Sequence, residues 1–419
     1  MNSDLKPAEK LISFDNTEYA FAYKSSKELK RAHFLFSTMG NSFLLGLGLK
    51  IMPAAFKFKI PFIKMVIKKT IFGQFVGGET LGETAPVADK LDEYNVKVIL
   101  DYGVEGGKDG EAGFEHATDE FIKVIGYAST QKNIPFMSIK ITGIVRFGLL
   151  EKVDAAMHHS EGTLMKRYHK VTELLPVKEK EEWQRAVSRL LKICEFGNRR
   201  NVGVLVDAEE TWIQDPVDAI TILMMDTYNK SRAVVFNTIQ LYRHDRLSFL
   251  NDSYKAAIDR NFILGVKLVR GAYIDKERDR AADKGYPSPI QPDKDSCDKD
   301  YNAAVEFCVE RLKDISVIVA SHNEYSNLYT TQLLDKMGIT HAHAHVHFSQ
   351  LYGMSDNITF NLAKSGFSVS KYLPFGPIDD VIPYLMRRAQ ENSSISGQTG
   401  RELGLIKREL ERRKKVHSS

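Results

Sequence analysis

The sequence predicts an α/β fold: eight parallel strands alternating with helices, closed into a (β/α)8 barrel, with a helical arm ahead of it. Three observations carry this. From about residue 95 the 419-residue chain repeats one grammar, a short β-branched run, a polar residue at its end, then an amphipathic helical stretch. Eight such units fill roughly 300 residues, the span of a closed barrel rather than an open sheet. Every run also ends in a side chain able to bind or ionise, and barrels of this kind place their active sites at the carboxyl ends of the strands.

The runs are VKVILDYG (Val96 to Gly103), FMSIKITG (Phe136 to Gly143), VGVLVDAEE (Val202 to Glu210) and VVFNTIQLY (Val234 to Tyr242). They continue with GVKLVRGAY (Gly265 to Tyr273), SVIVASHN (Ser316 to Asn323), HAHVHFSQLYG (His343 to Gly353) and FSVSKYLPFG (Phe367 to Gly376). Their ends carry, in order, Glu105, Lys140, Asp207, Gln240, Arg270, His322, Gln350 and Tyr372. The charged stretch LLPVKEKEEWQRAVSRLLKICEF between the second and third runs reads as crossover helices. The Pro, Gly and Asp content of IDKERDRAADKGYPSPIQPDKDSCDKDYNAA, after the fifth, predicts a long ordered loop. The expected division is a helical arm over 1–75, the barrel over 76–395 and a short basic tail over 396–419.

The segment YLPFGPIDDVIPYLMRRAQEN closes the barrel. Gly376-Pro377 marks a stop before a helix, and Asp379-Asp380 suits its first turn. Tyr384, Arg387, Arg388 and Glu391 follow at i, i+3, i+4, i+7, so a phenol, two guanidiniums and a carboxylate share one helix face. By spacing alone this is a solvated face in which both arginines pair with Glu391. Directly behind a strand whose end faces the barrel mouth, it reads better as a fork for a small carboxylate.

Composition excludes little. A formal net charge of +4 does not imply nucleic acid. Three widely spaced cysteines, Cys194, Cys297 and Cys308, fit neither a zinc site nor a disulfide framework and point to a reducing compartment. The start, MNSDLKPAEK, has neither a signal core nor transit-peptide character. The apolar stretch from Phe34 is too interrupted to span a bilayer. The basic amphipathic stretch from Phe56 to Lys69 and the tail from Lys407 to Lys415 are either packed or extended protein, or peripheral contacts with an anionic membrane.

No dinucleotide fingerprint, phosphate loop, nucleophile elbow or H-E-x-x-H is present. HAHAHVH puts His341, His343, His345 and His347 on one strand face, which could hold a metal; hydrogen-bonded strand histidines are the better reading, and no metal is expected. Lys140, Arg270, Arg387 and Arg388, balanced by Glu105, Asp207 and Glu391, suit an anionic substrate with a phosphate-bearing cofactor. Tyr273, Tyr372 and Tyr384 add flat walls with polar tips for a small ring.

With these residues in view, the closing segment resembles the signature of the proline dehydrogenases, and SIKITG, VDAEE, KLVRGAY, ASHN and QLYGM occur in the order that family shows. The resemblance covers roughly Phe75 to Asn392 and implies a distorted, TIM-like (β/α)8 barrel holding FAD. The implied reaction takes L-proline to Δ1-pyrroline-5-carboxylate, the first step of proline degradation to glutamate. A hydride passes to flavin N5 and the electrons then go to a quinone. By the same resemblance Arg387, Arg388 and Lys140 bind the proline carboxylate, and Tyr273, Leu351, Tyr372 and Tyr384 enclose the ring. Asp207 orients Lys140, and Glu105 pairs with an arginine to gate the pocket. Ala208, Gln240, Arg270, Gly271, Ala272, Ser321, His322 and Glu391 fall where the family contacts FAD, and Lys267 falls near flavin N5.

The sequence departs from many bacterial relatives in having Lys267 for an arginine, which keeps the cation and loses the fork, and Ile274 for a tryptophan. With only a short tail after Asn392 it reads as monofunctional. The implied location is cytoplasmic with peripheral contact at the inner face of the membrane, or mitochondrial for a eukaryotic source. A 4-hydroxyproline dehydrogenase is the alternative; there Tyr372 would crowd the hydroxyl, where hydroxyproline-accepting relatives have a small residue. A metal-dependent hydrolase and a non-catalytic scaffold are the remaining readings.

Overall fold

Eight parallel strands close on themselves in sequence order in the computed structural model, which describes residues 12–39, 63–103, 110–394 and 398–418. The strands are β1 (Lys97–Tyr102), β2 (Phe136–Ile139), β3 (Gly203–Val206), β4 (Val235–Gln240), β5 (Leu264–Val269), β6 (Ile315–Ala320), β7 (Val346–Leu351) and β8 (Val369–Phe375). The seam that closes the barrel is β1 on β8, paired from Lys97↔Ser370 to Tyr102↔Phe375. Alternate residues face inward. Ile99, Leu205, Phe236 and Ile318 fill the barrel axis, with Phe136 and Tyr372 packed against them. Gly265 is needed here for space: a Cβ would lie 2.2 Å from the Val235 carbonyl oxygen, so a side chain would push β5 off β4.

Helices cover the outside. Three of them, Phe147–His158, Leu164–Glu173 and Val177–Arg200, make the crossover from β2 to β3. Their apolar stripes join the main core with Leu149, Val153, Trp183, Leu190 and Ile193. Thr80, Thr163, Asp293 and Asn323 cap helix starts by accepting the amide hydrogen of the residue three positions on. Between barrel and helices, Asp218 accepts hydrogen bonds from Arg246 (2.6 Å), Asn237 (2.8 Å) and Gln214 (3.0 Å), all buried.

A second core lies beside the barrel. Helix Ser26–Met39 contributes Leu29, Ala32 and Phe36, and the entry to the barrel contributes Phe72, Phe75 and Val76. Val381 and Leu385 come from the last barrel helix, Ile378–Ser394, and Leu405 and Ile406 from the C-terminal helix, Gln398–Ser418. The stretch read as a basic tail is therefore helical and packed, because two apolar positions and the buried Glu409 face the arm. The helix bearing the two arginines rests on this second core.

Three expectations change. The stretch after β5 is two helices, Ile274–Lys284 and Lys294–Val309, and not one long loop. Its turn-forming composition marks only the break, where Gly285 takes a left-handed conformation (φ 71°) and Asp293 caps the next helix. The histidine run is not one strand face: β7 starts at Val346, so His341, His343 and His345 lie in the turn at its amino end, opposite the mouth. Each is held there, His341 by Ser365 O and Asp335, His345 by Leu312 O, while His347 inside the barrel meets Ser370 Oγ. Tyr372 lies mid-strand, since β8 runs on to Phe375. The 56–62 part of the basic amphipathic stretch is outside the described residues. No helix among the described residues is long and apolar enough to cross a membrane.

Asp218→Ala should lower stability by about 3–5 kcal/mol, because it leaves the Arg246 guanidinium buried without its counter-charge. An unchanged urea midpoint would show that this network is not structural.

Candidate active site

The mouth is organised by one carboxylate. Asp207 follows β3, and its backbone N–H donates to Ile139 O (2.9 Å), continuing the ladder one residue past the strand. Its Oδ1 accepts from Ser138 Oγ and from Lys267 Nζ. Its Oδ2 accepts from Tyr372 Oη (2.8 Å) and Lys140 Nζ (3.3 Å). Lys140 also lies 3.3 Å from Asp101 Oδ1 on β1. Side chains from β1, β2, β5 and β8 thus meet Asp207, just past β3, in one cluster, because each sits at an inward position.

Charge balance keeps the cluster ionised. Burial would raise the Asp207 pKa, but the Lys267 and Lys140 ammoniums outweigh it and hold the group below the usual carboxylate range. Burial would likewise lower Lys140; Asp101 and Asp207 overcome it and hold its pKa above that of a free lysine. Burial pushes Asp101 up, against the Lys140 charge. The Tyr372 phenol is pushed well up, by burial first and then by Asp101 and Asp207, so it donates rather than ionises. Lys267 Nζ stands 5.5 Å from the Tyr372 ring centroid.

Around this cluster stands a second ring. Thr142 Oγ1 donates to both oxygens of Glu209 (3.0 and 2.9 Å). Burial pushes the Glu209 carboxyl up to about 7, with Lys140 opposing and Glu210 adding to the effect. Tyr273, at the start of helix Ile274–Lys284, has its pKa raised by burial and by Glu209, and eased by the charge of Arg387. The Arg387 charge is thus within electrostatic reach of Tyr273. Arg388 is buried, its guanidinium carbon 5.3 Å from the Tyr384 ring centroid. Tyr384 and Leu351 pack on the second core beneath.

The other rim carries β4 to β6. Gln240 Nε2 donates to Glu209 O (2.9 Å), while its Oε1 is buried with no donor among the described residues. Arg270 donates to Asp298 (2.7 Å), Ser321 (2.7 Å) and Ser326 (2.9 Å) and lies over the Tyr301 ring. Gly271 has φ 144°, and a Cβ there would lie 2.4 Å from the Tyr242 ring. Ala272 is exposed beside it, and Ala208 lies between Asp207 and Glu209. His322 Nδ1 meets Ser355 Oγ at 2.9 Å. Burial, then the charges of Lys371, Arg388 and Arg270, depress His322 to about 3, so its ring is neutral. A buried amide acceptor and a guanidinium fixed in place by three partners fit a large polar cofactor with a phosphate end, while Gly271 is needed to clear the Tyr242 ring.

Gln350 is the strand-end residue that does not reach the mouth. It points outward, bonding Ser321 O, Asn327 and Thr359, because position 350 has the outer parity on β7 and Leu351 the inner. Glu105 and the Glu391 side chain lie outside the described residues. Asp101, Ser138, Thr142 and Glu209 were not singled out from sequence. Asp101 carried a signal nonetheless, a carboxylate inside an apolar run.

A family model described as proline dehydrogenase matches residues 85–401. The chain belongs to the proline dehydrogenase family. Among its relatives, a hydroxyproline dehydrogenase from Xenopus laevis is 33% identical, over 83% of this chain and 78% of its own. The mitochondrial proline dehydrogenase 2 of Arabidopsis thaliana is 32% identical, over 83% of this chain and 79% of its own. In structure, proline utilization A from Bdellovibrio bacteriovorus superposes with a TM-score of 0.68 at 20% identity, which establishes the shared barrel. That match covers 90% of this chain and 38% of the larger protein, so the chain spans little more than a third of it.

Glu209 gives the mouth of this proline dehydrogenase family member a pH dependence with a definite sign. Its carboxyl is raised from 4.5 to about 7, so the ionised form is disfavoured in the folded state. Stability from this group is complete below about 4.5 and lost as pH rises through about 7. Glu209→Gln should therefore gain on the parent chain by up to about 3 kcal/mol between those limits. Urea midpoints of both proteins from pH 4.5 to 8 test this; a gap that does not change with pH contradicts it.

Proposed function

We propose that the chain oxidises L-proline to Δ1-pyrroline-5-carboxylate, with FAD as cofactor and a quinone as the final acceptor, opening the degradation of proline to glutamate. The observation that carries this reading is the Asp207 cluster at the barrel mouth, two ammoniums and a phenol gathered by one carboxylate, with the helix of Tyr384, Arg387 and Arg388 following the last strand. Membership of the proline dehydrogenase family supports it.

In this reading Arg387, Arg388 and Lys140 hold the substrate carboxylate, and Tyr273, Leu351, Tyr372 and Tyr384 enclose its ring. Asp207 fixes Lys140, Lys267 and Tyr372 relative to one another. The surrounding cations disfavour a protonated substrate amine by like-charge repulsion, leaving the nitrogen lone pair available. Ala208, Gln240, Lys267, Arg270, Gly271, Ala272, Ser321, His322 and Glu391 would hold FAD, with Gln240 Oε1 the acceptor for a ring N–H. FAD, when bound, supplies the two-electron acceptor for the hydride that leaves the ring carbon beside nitrogen. Glu105 would gate the pocket. Lys64, Lys68 and Lys69 beside the exposed Met65 and Val66, and the basic helix face from Lys407 to Lys415, would serve peripheral contact with the membrane that holds the quinone. The location is then cytoplasmic at that membrane, or mitochondrial in a eukaryote.

The Xenopus laevis relative favours a second reading, oxidation of 4-hydroxyproline. Tyr372 argues for proline. Its ring is fixed by the bond to Asp207 and by packing against the barrel axis, so it would occupy the space a 4-hydroxyl needs.

Anaerobic titration of the purified flavoprotein with L-proline tests the main reading, with bleaching of the flavin band as the readout. Arg387→Met and Arg388→Met should retain flavin but need roughly 30-fold to several-thousand-fold more proline, as expected for losing a ~2–5 kcal/mol charge-assisted contact. Equal titration curves for parent and variants would remove the fork, and a colourless protein would remove FAD.

Tyr372→Ser should raise the ratio of kcat/KM for 4-hydroxyproline over that for proline, at the expense of proline turnover. A ratio equal to the parent's would show that Tyr372 does not select the ring.

A further inference from the structure

Behind the cofactor rim, three segments far apart in sequence lock together. Ser355, in the turn after β7, has a left-handed backbone (φ 50°), which is uncommon for a residue with a side chain and needs support from its surroundings. Its Oγ meets His322 Nδ1 at 2.9 Å. Its backbone N–H donates to Glu402 Oε1, on helix Gln398–Ser418. The next residue, Asp356, accepts from Tyr23 Oη (2.8 Å) and Lys24 Nζ (2.8 Å) of the arm and lies 2.9 Å from the buried Lys371 of β8.

The same C-terminal helix grips the other flank of His322. Arg401 forms a two-pronged bond with Glu324 (2.9 and 3.1 Å), the first residue of helix Glu324–Lys336, and reaches Asp15 of the arm (2.9 Å). Glu324 in turn accepts from Asn357 (2.8 Å), two residues past Ser355. His322 is thus bracketed by Ser355 and Glu324, and both are held by adjacent residues of one helix outside the barrel. Glu402 itself is buried, and the groups facing it are Asp356, Lys371 and Lys24, with Asp356 opposing its charge and the lysines favouring it.

We infer that Glu402 is a positioning residue for the cofactor side of the mouth, acting through Ser355 on His322. The inference rests on the functional reading that His322 lines the FAD site. The mechanism is mechanical and local: Ser355 O is held by Ile358 and Thr359 of the following helix, Glu402 accepts the Ser355 backbone N–H, and Ser355 Oγ then fixes the His322 ring. The barrel does not supply this acceptor, so the C-terminal helix completes the rim.

The test uses the full chain with flavin bound. FAD dissociation constants are measured for the parent, Glu402→Ala, Glu402→Gln, Ser355→Ala and the Glu402→Ala/Ser355→Ala pair, with the histidine ring NMR signals recorded alongside. Glu402→Ala and Ser355→Ala should each weaken FAD binding about 10-fold, the cost of one lost buried hydrogen bond. Glu402→Gln should restore binding to near the parent's value, because its amide oxygen still accepts from Ser355. The paired variant should be no weaker than Glu402→Ala alone, as expected for residues acting in series. A Glu402→Ala variant that is less stable to urea but binds FAD like the parent overturns the inference. Should Glu402→Ala not fold, Ser355→Ala carries the test, and unchanged FAD affinity in it overturns the inference equally. A parent chain that takes up no FAD refutes the functional reading instead. The His322 ring signal still decides the inference in that event: it should move in Glu402→Ala and Ser355→Ala, and its constancy overturns the linkage.

Discussion

The geometry of the mouth depends on the ionised carboxylate of Asp207. Two ammonium groups, Lys140 and Lys267, are drawn out of water at the top of a barrel whose axis is otherwise apolar. Without a counter-charge, desolvation and mutual repulsion would make the pair costly to bury. Asp207 supplies that charge and also accepts from Ser138 and Tyr372, so one group sets the positions of four side chains. The arrangement needs the barrel closed, because Tyr372 reaches Asp207 from across it and β8 is held by its pairing with β1.

A barrel alone does not place the two guanidiniums. Their helix, Ile378–Ser394, rests on a second core built with the arm and the C-terminal helix. Val381 and Leu385 join that core, while the charge of Arg387 reaches Tyr273 and that of Arg388 reaches His322, so one amphipathic helix serves both. Elements that lie outside the barrel thus bear on its mouth: the C-terminal helix packs in the core under the arginine helix and also bonds Ser355 beside His322.

Much of this was legible in the sequence because strand and helix periods differ. Eight β-branched runs, each followed by a helical stretch, pointed to the barrel, and the polar residues closing the runs put Lys140, Asp207, Gln240 and His322 at the mouth. The i, i+3, i+4 spacing gave Tyr384, Arg387 and Arg388 a common face. What failed did so for identifiable reasons. Gln350 satisfied the rule of a polar strand end but has the wrong parity by one residue, which only the start of β7 fixes. The histidine run alternates like a strand, yet its first members make a turn. Asp101 and Lys371 hid inside apolar runs, since a buried charge is recognisable only once its partner, distant in sequence, is known. Glu402 and Ser355 gave no local signal at all: one looks like a surface residue of a basic helix, the other like ordinary turn chemistry.

Adjacent residues of β8 serve opposite sides of the wall. Lys371 points outward, bonded to Leu351 O, Met354 O and Asp356, and Tyr372 points inward to Asp207. A strand has only two faces, so inserting or deleting one residue would exchange them, placing an ammonium against Asp207 inside the barrel and a phenol among the outer charges. Evolution of this strand is therefore constrained in length before it is constrained in composition. A substitution between Val369 and Phe375 disturbs one side chain, whereas a gain or loss of one residue there disturbs both faces and is accommodated only in the turns on either side.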